Sequence, residues 1–265
     1  MNVSHPNTLE RLRYRNSAGR LIREHRALLR IRLERLHWMQ PAFLPTAIFV
    51  LVLLLLKPIG RFWYSIIEFW AQKLELPGQL RTESRWIGNL HIYDLPYLDV
   101  PSTTPDSVQL VTCLVLVLSI MLLSYLLLRR SLPIAYIVWA YCLIQITSIT
   151  FFYFRPATFP YTIGSHLRGG LEMNVALLLT IPWLLGPTYY AFEFALWKKL
   201  AATLLMIVHL VLFSPLQYMA HAKLIHDMTL VVMPLLYIMF GLFANIFCFI
   251  AIYGWAMSWE RVQRM

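Results

Sequence analysis

Two polar stretches between apolar runs hold residues whose types and spacing could do chemistry. Arg155, His166 and Arg168 fall within the first stretch, residues 154–170, and the second stretch is residues 221–227. The second stretch contributes His221, Lys223, His226 and Asp227. Guanidinium and ammonium groups bind phosphate, while imidazoles beside them serve as nucleophile and general acid. If the flanking helices bundle, the two stretches predict one anion site with histidine chemistry.

The roles within this site follow from the side-chain types. The predicted ligand-binding residues are Arg155, Arg168 and Lys223. The predicted catalytic residues are His166, His221, His226 and Asp227, the last of which would orient an imidazole. No HExxH-type spacing is present, and the three cysteines are scattered through apolar runs. We therefore predict neither a metal ion nor a cofactor.

The elements that position these residues are membrane-spanning helices. The chain of 265 residues is 59% hydrophobic and 14% charged, against about 45–50% and about 25% for soluble domains. Its apolar residues are concentrated in runs that suit the bilayer. The predicted spans are residues 41–56, 108–128, 132–153, 171–191, 197–218 and 228–255. We predict an all-α, polytopic helical bundle with about six transmembrane helices.

The charge distribution predicts how this bundle is oriented. Six spans place both termini on one side, and 15 of the 23 basic residues then fall on that side. Because basic residues accumulate in cytoplasmic segments, both termini are predicted to be cytoplasmic and both polar stretches to face outward. We take this membrane to be the bacterial inner membrane.

A basic arm, residues 1–40, precedes the membrane domain of residues 41–265. It holds nine arginines between Glu10 and Arg35, with apolar residues at loose helical spacing. This pattern predicts an amphipathic helix that lies on anionic lipid or docks a protein partner through residues 9–36. The alternative is a positive topology anchor with no further role. No base-reading motif accompanies the arginines, so nucleic acid is not a predicted partner.

One long connection, residues 77–107, is predicted to cap the outer ends of the helices. Residues 86–93 are predicted to form one short strand within it. Before this connection, Ile59–Leu74 keeps helical spacing beyond Lys57-Pro58. It is either the outer end of the first span or a separate interfacial helix.

The order of the polar motifs resembles the type 2 phosphatidic acid phosphatase family of membrane phosphatases and phosphotransferases. Arg155-Pro156 is similar to the end of that family's first motif, without its upstream lysine, and Ser165-His166 is similar to its second, without its glycine. The third motif, Arg-x5-His-x3-Asp, is broken, because Asp227 directly follows His226 and no arginine precedes His221. The resemblance implies Arg155 for phosphate binding, His166 as acid, and His221 or His226 as nucleophile.

Two functions therefore stay open. The first is an outward-facing site for an anionic, phosphorylated lipid-type ligand, with phosphatase or phosphotransferase chemistry as one form of it. The second is a non-enzymatic accessory subunit of a membrane complex, for example in envelope polysaccharide or lipid export, docked through the arm. A carrier has little support, since the span interiors hold almost no charge beyond Glu172 and His209.

Overall fold

A computed structural model describes residues 39–128, 131–191 and 196–257. Six helices in these ranges are long and apolar enough to cross a membrane. The prediction of an all-α, multi-pass helical bundle is confirmed. The predicted basic arm lies outside the described residues, apart from its last two positions.

Helices of very different length and one β-hairpin make up the described chain. In order they are α1 (Met39–Lys73), β1 (Gln79–Ile87), β2 (Leu90–Asp99), α2 (Ser107–Leu127), α3 (Leu132–Phe154), α4 (Ile163–Ala191), α5 (Leu196–Met228), α6 (Met233–Tyr237) and α7 (Phe243–Met257). Short 3-10 turns stand at Pro156–Thr158 and Leu230–Val232, and a π-helical turn, Ile238–Leu242, joins α6 to α7. The sixth span, Leu230–Ala256, is thus a composite of several helical pieces.

Three helices run further than the predicted spans. Helix α1 continues through Pro58 to Lys73, so the segment after Pro58 prolongs the first span. Helix α4 begins at Ile163, and α5 continues to Met228, so both polar stretches are largely helical. Loss of apolar character marks where a helix leaves lipid, but the backbone stays helical while neighbouring elements pack against its polar side chains.

The connection after α1 folds into an antiparallel β-hairpin that packs against α1 and α4. The prediction of a single strand over residues 86–93 is wrong, because the chain turns at Gly88 and Asn89. Gly88 adopts a φ of +60°, a conformation that glycine reaches without a steric penalty. The buried side chains of Leu95 and Leu98 hold β2 onto the helices.

Two glycines allow the hairpin to approach the helices closely. A Cβ atom on Gly60 of α1 would lie 2.5 Å from the carbonyl oxygen of Asp94. A Cβ atom on Gly164 of α4 would lie 2.9 Å from Asp99 Oδ1. Real side chains do not tolerate these separations, so larger residues would push the hairpin away.

The tightly packed centre lies among α1, α4 and α5, where Trp63, Leu171 and Leu210 are buried. Helices α2 and α3 pair beside it, and α3 anchors the start of the sixth span. Gln145 and Ser148 of α3 both donate hydrogen bonds to the carbonyl oxygen of Val231, at 3.1 and 2.6 Å. These polar side chains satisfy a carbonyl that the irregular backbone there leaves free.

Candidate functional site

The hairpin covers one end of the bundle, where α1 ends, α4 begins and α5 ends; we call this the hairpin end. Both polar stretches lie at this end. The structure brings His166 of α4 and His221 of α5 together, with Nε2 of the first 3.2 Å from Nδ1 of the second. Their relative exposures are 4% and 3%. Two histidines that are 55 residues apart in the chain thus share one buried hydrogen bond.

Aromatic rings surround this histidine pair. The ring of Tyr218 lies 5.9 Å from that of His166 and 5.3 Å from that of His221, and Tyr237 lies 5.9 Å from His166. Among the described residues, neither histidine forms a hydrogen bond or an ion pair with an arginine. The pair therefore supplies donor and acceptor nitrogens in an enclosed setting, with no guanidinium bound to it.

The guanidinium group of Arg168 forms an ion pair with the hairpin. Its Nη1 lies 3.2 Å from Glu83 Oε2 on β1, and Glu83 also pairs with Arg85 at 3.0 Å. Arg85 in turn forms an ion pair with Glu172 of α4. Arg168 and Glu172 are one turn apart on α4, so four alternating charges tie the hairpin to that helix. Exposed pairs of this type contribute about 0.2–1 kcal/mol each, and their larger effect is to fix orientation.

The remaining predicted residues lie nearer the surface. Arg155 ends α3 and is exposed. Lys223 and Asp227 form an ion pair of 2.9 Å with each other, one turn apart on α5. His226 is half-buried on the same helix. The structure thus joins two of the seven predicted residues in the histidine pair and engages three in ion pairs, and the chemical role of each stays a prediction.

A cavity of about 400 Å³ opens between α1 and the hairpin, and the sequence reasoning missed it. We call it the Lys57–Arg61 cavity. The residues that line it are Lys57, Gly60, Arg61, Tyr64, Ser65, Thr82, His91 and Asp94. The sequence does contain an indication of this cavity, because two basic residues four positions apart directly follow the apolar run 41–56. The sequence does not indicate that hairpin residues line the cavity, since their position depends on how the two strands fold back onto α1.

The single carboxylate in this cavity is held by its own hairpin. Ser84 Oγ donates a 2.6 Å hydrogen bond to Asp94 Oδ1, and His91 Nε2 donates one of 2.8 Å to the same oxygen. The hydrogen bond from Ser84 is the main cause that lowers the pKa of Asp94 below its ordinary value of 3.8, and Lys57 adds a smaller electrostatic effect. Asp94 is therefore ionised at neutral pH and offsets one of the two cations.

Within residues 39–128, 131–191 and 196–257, no group of three or more His, Cys, Asp or Glu side chains is placed to hold a metal ion.

Comparison with known proteins finds no matching family model, no matching curated protein and no matching solved structure.

Proposed function

We propose that this multi-pass membrane protein binds the phosphate-bearing headgroup of an anionic lipid in the Lys57–Arg61 cavity. The observation that carries the proposal is a pair of cations, neither of which is held in a salt bridge among the described residues and whose combined charge the single carboxylate of Asp94 offsets only in part. Within the described chain, the side chains of Lys57 and Arg61 form no hydrogen bond or ion pair, whereas Arg81, Arg85 and Arg168 are all paired with carboxylates.

The positions of the two cations suit a phosphate group. Lys57 and Arg61 are four residues apart, so they project from the same face of α1. Hydroxyl groups of Tyr64 and Thr82 line the same cavity and supply further donors. Arginine offers a bidentate fork to phosphate oxygens and lysine a compact charge. A volume of about 400 Å³ falls within the range of small-ligand sites, roughly 300–1,000 Å³.

The adjoining surface of α1 suits the acyl chains of such a lipid. The cavity comes directly after the apolar run 41–56, the depth at which a spanning helix meets headgroups. Leu54, one turn before Lys57, is 72% exposed, and Leu51 is also exposed. A lipid with its phosphate at Lys57 and Arg61 would therefore lay its chains along apolar side chains of the same helix.

The test measures bound lipid on purified protein by native mass spectrometry after delipidation and titration with phosphatidic acid. The K57Q/R61Q double variant is expected to lose about 30-fold in affinity, from about 1 kcal/mol for each basic residue near an anionic surface. The control is K73Q, which removes an exposed lysine from the same helix outside the cavity. Unchanged binding by the double variant, or an equal loss in K73Q, contradicts the proposal.

Competition identifies the source of the phosphate group. Inorganic phosphate at millimolar concentration should displace little of the lipid if the apolar face of α1 contributes to binding. Phosphatidylcholine, whose headgroup is zwitterionic, should bind more weakly than phosphatidic acid. Complete displacement by inorganic phosphate would instead show that the cavity takes the free anion and contradict the lipid assignment.

A phosphatase or phosphotransferase reaction is the second candidate, and the 3.2 Å contact between His166 and His221 favours it. In such a reaction the nucleophile and the acid both contact the transferred phosphate, on opposite sides, so the two imidazoles would have to separate to admit it. H166A and H221A should each abolish release of phosphate from phosphatidic acid when turnover is expressed per mole of folded protein. Wild-type protein that releases no phosphate, or variants that keep wild-type turnover, would exclude this reaction.

A further inference from the structure

A line of polar side chains runs through the interior of the bundle, apart from the Lys57–Arg61 cavity. Three elements contribute to it, and on two of them a glycine separates two polar residues at a constant spacing of four. On α4 the positions are His166, Gly170 and Asn174, each four residues after the last. On the sixth span they are Tyr237, Gly241 and Asn245, at the same spacing. We call the set of His166, Asn174, Ser214, Gln217, His221 and Asn245 the polar seam.

Hydrogen bonds connect the inner part of the polar seam across the helices. Asn245 Nδ2 donates to Asn174 Oδ1 at 3.1 Å and to the carbonyl oxygen of Gly241 at 3.3 Å. His209 Nε2 donates to Asn245 Oδ1 at 3.3 Å. Asn174 and Asn245 are both fully buried. A buried asparagine pair is unusual at the centre of an apolar bundle, because each amide must find partners away from water.

The π-helical turn exposes further backbone acceptors to this line. Gln217 Nε2 donates a hydrogen bond to the carbonyl oxygen of Phe240 and lies 3.4 Å from that of Gly241. Both carbonyls belong to the turn Ile238–Leu242, whose wider coil is a feature that recurs at functional sites. A Cβ atom placed on Gly241 would lie 3.8 Å from Tyr218 Oη, so Tyr218 packs against this turn. The ring of Tyr218 also contacts that of His221, and it therefore connects the turn to the histidine pair.

Several polar atoms along the same line have no protein partner. Among the described residues, the buried atoms Asn174 Nδ2, Ser214 Oγ, Gln217 Oε1 and Tyr218 Oη form no hydrogen bond. Ser214 is fully buried and Tyr218 is 1% exposed. Leaving buried polar atoms unpaired is costly, and native proteins pair such atoms with protein groups or with ordered water. Four in one line therefore point to a common occupant that offers both donors and acceptors.

We propose that the polar seam is a hydrated half-channel that admits water and small hydrophilic ions from the hairpin end to the asparagine pair. Water matches the unpaired set, because one molecule both donates and accepts and usually makes about three hydrogen bonds. The histidine pair stands at the entrance, and beyond their mutual hydrogen bond the two neutral imidazoles together keep one donor and one acceptor nitrogen. The half-channel lies inside α4, α5 and the sixth span, so it is independent of lipid binding on α1.

Thiol accessibility tests this proposal. S214C replaces the hydroxyl near the middle of α5 by a thiol, in a chain whose three native cysteines are changed to alanine. The control is L212C, two residues away, whose side chain is 48% exposed on the apolar surface. Both proteins are placed in nanodiscs, which leave the two faces open, and are treated with Ag⁺, a small ion that reacts with thiolate in water.

The readout is the fraction of thiol that a maleimide still labels after unfolding. S214C is expected to react with Ag⁺ at least ten-fold faster than L212C. Equal rates for the two, with fast reaction of K223C at the hairpin end as proof that the reagent is active, would overturn the proposal.

Two further variants protect the test against a local packing effect. Q217C places a second thiol in the polar seam and should show the same rapid reaction, which keeps the test decisive if S214C does not fold. Asn174→Leu in the S214C chain removes polar partners from the seam, and the Ag⁺ rate should be the same or lower. A higher rate would show that the reagent enters through loosened packing, and would overturn the half-channel.

Discussion

The indole Nε1 of Trp63 donates a 2.8 Å hydrogen bond to the carbonyl oxygen of Val211. The bond joins α1 to α5 inside the core, where Trp63 is 1% exposed. The carbonyl of Val211 is free to accept this bond because of Pro215, which lies four residues further on within α5. Proline has no backbone N–H, so the carbonyl of the residue four positions earlier is left without its helical donor. Trp63 thus supplies from another helix the hydrogen bond that Pro215 removes.

Trp63→Phe should destabilise the protein by about 2–4 kcal/mol, because the buried carbonyl of Val211 loses its donor and the smaller ring leaves a void. The measurement is a thermal or denaturant unfolding curve in detergent. Trp70→Phe on the exposed side of α1 is the control and should cost far less.

A double variant shows whether Pro215 causes this dependence. P215A restores an N–H that can reach Val211, so W63F should cost less in the P215A chain than in the wild type. The expected coupling is about 0.5–3 kcal/mol, as for other residues in direct contact. Strict additivity of the two substitutions would contradict the compensation.

The adjacent glycines Gly169 and Gly170 should respond to alanine with opposite signs. A Cβ on Gly169 meets nothing within 4 Å, whereas one on Gly170 would overlap the ring of Tyr218. G169A should therefore stabilise α4 by up to about 1 kcal/mol through helix propensity. G170A should cost about 1–3 kcal/mol through overpacking. Melting temperatures of the two variants give the comparison, and a matching sign in both would contradict this packing.

His166 and His221 should be energetically coupled. Removing either imidazole leaves the other with a buried nitrogen that has lost its partner, at a cost of about 1–3 kcal/mol plus the packing loss. H166A, H221A and the double variant form the cycle, measured by unfolding in detergent. The double variant should cost less than the sum of the two single variants by about 0.5–3 kcal/mol.

H226A provides the matched control for the histidine cycle, because His226 lies on α5 five residues after His221 and is only half-buried. It should show no coupling to H166A. Coupling of equal size for His226 would mean that the cycle reports general loosening of the hairpin end.

The hairpin should lose stability in acid as Asp94 is protonated. Its pKa in the folded protein is lowered, with the Ser84 hydrogen bond as the largest cause. A lowered carboxyl pKa adds stability that is present above the ordinary value of 3.8 and is lost as pH falls through the folded value. Amide hydrogen exchange in β1 and β2, corrected for the pH dependence of intrinsic exchange, should therefore accelerate below about pH 4.

S84A should raise the pKa of Asp94 towards 3.8, as measured by the chemical shift of its carboxyl carbon during titration. Ser65→Ala is the control, because Ser65 lines the same cavity but its hydroxyl bonds to the backbone of Arg61. An unchanged Asp94 titration in S84A would contradict the hydrogen bond as the main cause.

The sequence allowed part of the candidate site to be predicted. His166 and His221 were assigned to one site because spans three to six bring their stretches to the same end of a bundle, and the structure places them in contact. Arg168 was assigned to ligand binding, and the structure pairs it with Glu83. That partner is 85 residues away and lies on a hairpin whose turn was not recognised. Its position could not be inferred from the spacing of charges along the chain.

The sequence by itself determined the membrane class and the number of spans, because long apolar runs must be buried in lipid whatever their neighbours are. It did not determine where the helices end or which polar groups meet. Those depend on backbone approach at Gly60 and Gly164, and on the way Pro215 and the turn Ile238–Leu242 leave carbonyls free for partners on other helices. Hydrogen bonds of this kind join residues distant in sequence, so only the tertiary structure decided them.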